Sequence, residues 1–412
     1  MFPDSSFVRI VLSAAMLVVL CRSHVRGEEL KLQPNVTLQQ EFNDNVFLAT
    51  ADKKADLIST VTPKLDLTAR SEIGEGSLTA GFNWLKYIDN SSLDAIDYFV
   101  QGNGGYWVSP RLSITGAAGY SRNSRPDTIN AETGLAINSG SVRQNYQLSG
   151  TYACSEKTTT TLSYAYGREN YDSSRFLDTT THFASTGIEH DISLYLPETK
   201  VRTTINYTRD ETTPSNVENY SATVGASNKL NEKWSISLNA GGRYTHSEFD
   251  VAQTSLAIAR GNKDSLGWVG DLALSYNGLY TNAALSFKRD VTPASGRAGA
   301  TERTGVGANL GLRFTNDFSG YFSIGYSLNK ANQDEFSVQT IDERSLNVNG
   351  MLRYVLTGNA AIEAGYSYAA IDFVQGNARA EKNIVSIRLL MAFPFRKDSG
   401  RLTADTGPYT IP

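Results

Sequence analysis

From Val385 onward, every second residue is apolar: Val385, Ile387, Leu389, Met391, Phe393 and Phe395. Successive side chains of a strand point to opposite faces, so this row covers one face of a long strand. The other face carries Ile384, Ser386, Arg388, Leu390, Ala392 and Pro394. The same alternation runs through WSISLNAGGRY, where Trp234, Ile236, Leu238, Ala240, Gly242 and Tyr244 oppose Ser235, Ser237, Asn239, Gly241 and Arg243. In SLGWVGDLALSY, Leu266, Trp268, Leu272, Leu274 and Tyr276 oppose Asp271 and Ser275. YFSIGYSLN, LNVNGMLRYVL, NYQLSGTYAC and VRTTINYTR repeat the rule, and a helical period of 3.6 fits none of these windows as well.

About eighteen such segments, each of roughly 10–16 residues, follow one another; soluble strands usually run ~5–6. They fall near 32–44, 56–70, 76–90, 94–109, 112–124, 141–155, 158–172, 178–193, 200–212, 216–230, 234–249, 264–277, 279–291, 302–316, 319–331, 343–357, 360–373 and 381–395. Every other connection is short (SEIGEG, LPETK, NEK, NGL, TNDFSG, TGN). The intervening ones are mostly longer and more polar (ATADKKA, RPDTINAETGLAINSG, TPASGRAGATE, QDEFSVQTIDE). An up-and-down sheet tied tightly at one end and looped at the other is the anatomy of a transmembrane barrel.

The pattern therefore predicts an all-β fold: a transmembrane up-and-down antiparallel β-barrel of 16–18 strands. Short periplasmic turns and longer extracellular loops join them, and the apolar row faces lipid. A soluble sandwich, β-helix or propeller would bury the same row against a second sheet, but those folds use shorter strands and lack the loop alternation. Closure leaves no strand edge unpaired in hydrocarbon. With about 18 strands tilted ~40° the backbone diameter is roughly 35 Å, too wide for side chains to fill. The expected lumen is water-filled, narrowed by inward side chains and infolded loops, with 125–140, 250–263 and 331–343 as the candidate constrictions.

Composition sharpens this picture. Hydrophobic residues make up 40% of the 412, below what a thick multi-layer core uses, and Tyr (21) outnumbers Phe (17), which suits interfacial rings. Arg9 followed by IVLSAAMLVVL reads as a secretory leader over 1–27, its apolar run too short to span a bilayer. Lipidation at Cys21 is the alternative to cleavage after Gly27. The barrel is then expected over 28–395, with a polar periplasmic tail over 396–412. Without the leader Cys154 is alone, so no disulfide framework exists. The whole chain carries −4, and losing the basic leader makes it more acidic, which argues against a nucleic-acid partner. A closing strand that ends in Phe393 and Phe395 suits engagement by a barrel assembly machinery.

The search for chemistry yields a wall rather than a catalytic centre. Of the His (4), His182 and His190 share a face but stand about 26 Å apart at ~3.3 Å per residue. No nucleophile elbow, zinc-protease helix or P-loop pattern occurs, so neither enzyme nor cofactor is expected. The charges that share the polar face are Lys64, Asp66, Asp97, Arg143, Arg202, Lys229, Arg243, Asp271, Lys288, Arg313, Arg353, Glu363 and Arg388. Inward charges tune permeation or simply solvate a wet wall, and the surplus of Arg and Lys suggests tolerance of anionic solutes. Tyr87, Phe99, Trp107 and Tyr321 on the same face are the aromatics available to stack on sugars, or to pack on their neighbours.

The stretch EFNDNVFLATADKKADLISTVTPKLDL is the most distinctive. It carries an aromatic (Phe42), Asp44-Asn45, the Val46-Phe47 pair, and Pro63 followed by Leu65 and Leu67. Over residues 34–67 it resembles the β-barrel porins found with exopolysaccharide and exosortase gene clusters, with Phe at 42 where Tyr is commoner. The resemblance implies an outer-membrane pore serving polysaccharide export, with polysaccharide and periplasmic export components as partners. General diffusion of small solutes is the alternative, and a structural or enzymatic barrel the third. Asn43-Asp44-Asn45 suits a turn, because Asx side chains bond nearby backbone; calcium needs more oxygen ligands than the trio offers.

Overall fold

The computed structural model describes residues 29–393 apart from 131, 214, 250–261, 333–335 and 338–339. The expected leader with Cys21, the polar tail, Phe395 and most of the 250–263 connection lie outside the described residues.

Alternating sequence becomes long strand throughout. In chain order they are β1 (Glu29–Asn43), β2 (Asp56–Arg70), β3 (Gly74–Tyr87), β4 (Ala95–Ser109), β5 (Leu112–Asn123), β6 (Thr128–Ile129), β7 (Ala136–Ile137), β8 (Ser141–Ala153), β9 (Thr158–Tyr171) and β10 (Thr179–Asp191). The second half adds β11 (Thr199–Thr212), β12 (Ser215–Lys229), β13 (Trp234–Phe249), β14 (Asn262–Asn277), β15 (Thr281–Pro293), β16 (Ala300–Arg313), β17 (Phe318–Ala331), β18 (Ile341–Thr357), β19 (Ala360–Phe373) and β20 (Ala378–Ala392). Eighteen of these form one antiparallel sheet in which each strand pairs with its neighbours in sequence. β6 and β7 are a separate small hairpin inside the β5–β8 connection.

The sheet closes on itself. β1 pairs with β2 on one side and with β20 on the other, from Asn35↔Ala392 to Asn43↔Ile384. Both terminal strands begin or end at the short-turn side, as an even strand number requires. Val385, Ile387, Leu389 and Met391 lie in that closing ladder; the strand stops at Ala392, with Phe393 exposed just beyond it.

The outward face is apolar, with Leu38, Leu162, Ile205, Val224, Leu238 and Ile387 all exposed. Two aromatic belts bound it. Tyr146–Tyr166, Tyr207–Tyr220 and Tyr220–Tyr244 pack toward the long-loop side, and Trp234–Tyr276 and Phe314–Phe318 toward the short turns. Trp234 and Tyr244 share one row of β13. Their separation corresponds to about 25 Å of height at ~3.3 Å per residue and a tilt of ~40°, the height of a lipid-facing band.

Candidate pore constriction

The inward face is polar, and several connections fold into it at the long-loop end. The β5–β8 connection reaches furthest. Its root is fixed at the closing seam. Lys382 on β20 donates to the Asp127 carboxylate (2.7 Å) and to the Asp127 carbonyl (2.6 Å), and Asn43 on β1 donates to the same carboxylate (2.8 Å). Arg125 reaches Glu41 (2.6 Å) and Asp127 (3.1 Å). Burial alone would raise the Asp127 carboxyl. The neighbouring charges of Arg125 and Lys382, with their hydrogen bonds, outweigh it and hold the group well below the usual carboxylate range. The Glu41 and Asp127 carboxylates hold the half-buried Arg125 guanidinium firmly charged against its desolvation.

The tip of the connection is shaped locally. The Asn130 side-chain oxygen accepts the Glu132 (2.8 Å) and Thr133 (3.2 Å) N–H groups, and the Gly134 N–H donates to the Asn130 carbonyl (2.7 Å). Gly134 sits at φ +72°, where a side chain would be strained and would also strike the Ser327 hydroxyl. This turn drives Leu135 into a fully buried cluster with Val217, Val291, Ala294, Phe336 and Ile341. Beside it, Ala136 meets Leu48, Ile371 and Ala380. The segment leaves the wall between β5 and β8 and ends against β17 and β18, so it crosses the lumen.

The β15–β16 connection crosses in the other direction. The Gly296 carbonyl accepts the Leu177 N–H (2.6 Å), and Ser295 and Thr133 hydroxyls meet at 2.5 Å where the two crossings touch. From the β17–β18 connection, Ser337 donates to the Ala298 carbonyl (2.5 Å), and Arg297 pairs with Glu343 (2.6 Å). The expected open lumen therefore holds only for the short-turn half. The long-loop half is packed by crossing segments, because their few apolar residues bury against each other rather than face water. A cavity of about 640 Å³ remains at the short-turn end, lined among others by Lys31, Arg70, Glu75, Asn103 and Gln147.

The motif of residues 42–47 serves this closure. Phe42 faces outward. The Asp44 carboxylate accepts the Asn383 backbone N–H and side-chain amide, both at 2.7 Å. Buried Asn45 donates to the Glu381 (2.9 Å) and Ala49 (2.8 Å) carbonyls and accepts the Ala49 N–H (2.9 Å). Val46 packs in a cluster with Ile58, Leu85 and Tyr87, against which Phe47 also rests. The Asx residues form the turn that their chemistry suggests, and they pin the first loop across the β1–β20 seam. Pro63 faces outward in the β1–β2 ladder opposite Val36.

All thirteen charges read from the sequence lie on the inward rows of their strands, but most are paired. Arg143 meets Glu169 (3.2 Å), Arg202 meets Glu189 (2.5 Å), Lys64 meets Asp66 (3.2 Å), and Lys288 meets Asp290 (2.5 Å). Glu363 stands between Arg353 (3.5 Å) and Arg388 (3.7 Å). Asp271 accepts from Asn239 (2.8 Å), Asp97 is buried near the mouth, and Lys229 and Arg313 lie at the short-turn ends of their strands. The cationic surplus thus shrinks: Glu169, Glu189 and Asp290, absent from the sequence list, neutralise it. Their parity alone marked them. Of the aromatics, Phe99 and Tyr321 face the lumen, Tyr321 donating to Asn309 (3.0 Å). Tyr87 is inward but sealed under the first loop, so it presents no stacking surface. Trp107 lies at the short-turn rim, where the β4–β5 register shifts.

Residues 30–181 match the family described as "Putative beta-barrel porin 2". Solved structures similar in chain trace include OccK2 (OpdF) of Pseudomonas aeruginosa, with 10% identity over 90% of this chain and 100% of that one, TM-score 0.47. OccAB2 of Acinetobacter baumannii is similar at 11% identity over 89% and 98%, TM-score 0.45. Comparison with curated proteins gives no match.

Proposed function

We propose that the protein is an outer-membrane pore that passes small polar solutes, with no catalytic role. One observation carries this: a closed barrel with an apolar, aromatic-bounded outside has a polar inside narrowed by the crossing β5–β8 segment. Backbone closure and the outer band fit it for lipid. The crossing segments obstruct the lumen to a polymer, and paired inward charges make the wall wet without a strong field. The match of residues 30–181 to a porin family supports the same reading. Assembly machinery engages it through the closing strand β20.

Export of a polysaccharide, which the resemblance over 34–67 implies, would need the crossing segments to swing out of the lumen. Planar-bilayer recording separates the two. Small, steady conductance in the intact protein supports the small-solute pore. A silent protein that conducts only after residues 128–137 are replaced by a short linker supports a gated conduit instead. Silence in both forms refutes a pore altogether.

A further inference from the structure

The short turns divide into two groups around the rim. Barrel strands pair in sequence order, so successive turns are neighbours, about 12 Å apart for two strands tilted ~40°. The β10–β11, β12–β13, β14–β15 and β16–β17 turns follow one another, and each exposes large apolar side chains. Leu194, Tyr195 (84% exposed) and Leu196 stand in the first, Leu230 in the second, Leu279 (78%) and Tyr280 in the third, and Phe314 in the fourth. Elsewhere on the rim, exposed turn positions carry Glu72, Arg111, Glu156, Lys157 and Asn359, with one large apolar residue, Ile73. Singly exposed apolar residues are ordinary on a protein surface; a run along four adjacent turns is not.

Local hydrogen bonds hold these side chains at the surface. In the β10–β11 turn the Asp191 carboxylate accepts the Ser193 N–H (2.8 Å), and the Ile192 carbonyl accepts the Tyr195 (2.8 Å) and Leu196 (3.1 Å) N–H groups. The Asn231 side-chain oxygen accepts the Lys233 and Trp234 N–H groups, both at 2.9 Å. The Gly278 N–H donates to the Thr281 carbonyl (2.8 Å), and the Thr315 hydroxyl accepts the Phe318 N–H (3.0 Å). Each tip thus turns its polar groups on itself and leaves its apolar side chains outside. The arc is also continuous with the lower aromatic belt. Trp234, at the end of one turn, packs on Tyr276 at the start of the next (4.9 Å), and Phe314 packs on Phe318 across its own turn (5.0 Å).

We infer that this arc is a lipid-binding surface: phospholipid of the inner leaflet covers the β10–β17 turns, whereas the other short turns stand in periplasmic water. The inference rests on the membrane setting proposed above. Leucine and tyrosine together suit the boundary between headgroups and acyl chains, where alkyl groups enter hydrocarbon and phenol hydroxyls stay wet. The four tips are spread over roughly 40 Å of a convex rim, with Ser193, Glu198, Asn231 and Asp317 between them. A fluid interface conforms to such separated tips, while a folded partner would need a matching curved groove. The barrel therefore meets the inner leaflet unevenly, anchored by turns on one side and by strand ends alone on the other.

The test is collision of a nitroxide label with oxygen, which concentrates in lipid, and with a water-soluble nickel chelate. Labels are placed by Leu194→Cys and Leu279→Cys in a Cys154→Ser background, which itself serves as the blank. The purified barrel is folded into dioleoylphosphatidylcholine vesicles, with heat-modifiable migration as the check on folding. Leu238→Cys, on the outward row at mid-height, supplies the lipid reference, and Glu72→Cys, on a polar turn, the water reference. The oxygen-to-nickel ratio at positions 194 and 279 is expected to exceed that at 72 severalfold and to fall below that at 238. Ratios equal to that at position 72 would put the arc in water and overturn the inference. Loss of collisions with both reagents would overturn it too, because a second copy of the chain would then cover the arc. A label at 238 that behaves like the one at 72 sinks the membrane setting itself; lipid contact at 238 with water contact at 194 and 279 sinks only the arc.

Discussion

Asp127 is the residue on which the constriction turns. Its carboxylate collects Lys382, Arg125 and Asn43, and so ties the crossing segment to both strands of the closing seam. Because its folded value is depressed, this contribution is present above the ordinary carboxylate value of about 3.9 and is lost only as pH falls through the lower folded value. Conductance is therefore expected to hold steady from neutral pH down to about pH 4. Lys382→Gln removes one of the two charges holding the group down and should move any acid-induced step to higher pH; bilayer recording across a pH series checks both. Glu363 makes a second case. It lies between Arg353 and Arg388 on the lumen wall, so Glu363→Gln should leave two cations with reduced compensation. A shift of reversal potential toward anions is expected, larger at low salt where screening is weak.

At the scale of the element, strand facing and loop infolding give separate tests. Leu272 stands on the outward row of β14, opposite Leu238 and Phe287, whereas Ser275 faces inward. Leu272→Arg should impair assembly, because an arginine near the middle of the bilayer costs about 2–4 kcal/mol, and Ser275→Arg should assemble normally. Equal heat-modifiable yields from the two variants would contradict the facing. For the crossing segment, replacing 128–137 removes Leu135 and Ala136 from their clusters without touching a barrel strand. The barrel should still form, with a conductance step several times larger than that of the intact protein.

Over the whole molecule, the combination of closed ladder, aromatic belts and wet interior predicts an outer-membrane protein that needs detergent for extraction and migrates faster unheated than heated. Recovery in a detergent-free periplasmic extract would contradict it. Each of the eighteen barrel strands lies within a few residues of a segment marked by alternation alone, including β1 at Glu29–Asn43 and β20 at Ala378–Ala392, whereas the β6–β7 hairpin lies in a stretch read as a connection. The sequence could carry this much because a strand in a barrel meets two different solvents, lipid outside and water inside. That difference imprints a period of two on every strand, and the loop lengths then record which end is which.

What the sequence could not carry is the interior above mid-height. Leu135, Leu48 and Phe336 lie in connections, the first two in short apolar runs and the third alone among polar residues, with no period to reveal a partner. They meet only because the closed wall brings connections far apart in sequence over one mouth, where burying them together removes apolar surface from water. The charge pairs divide in the same way. Alternation placed Arg143, Arg202 and Arg353 on the wet face, but their partners were set by cross-strand register, which a period of two leaves free. The ladder between β14 and β15 stops at Gly270↔Arg289, although both strands alternate beyond that point and nothing in their sequence marks the stop. Strand identity, facing and topology were thus local properties of the chain. The constriction, the neutralised wall and the break in the ladder arose from closure, which sets residues without sequence proximity at contact distance.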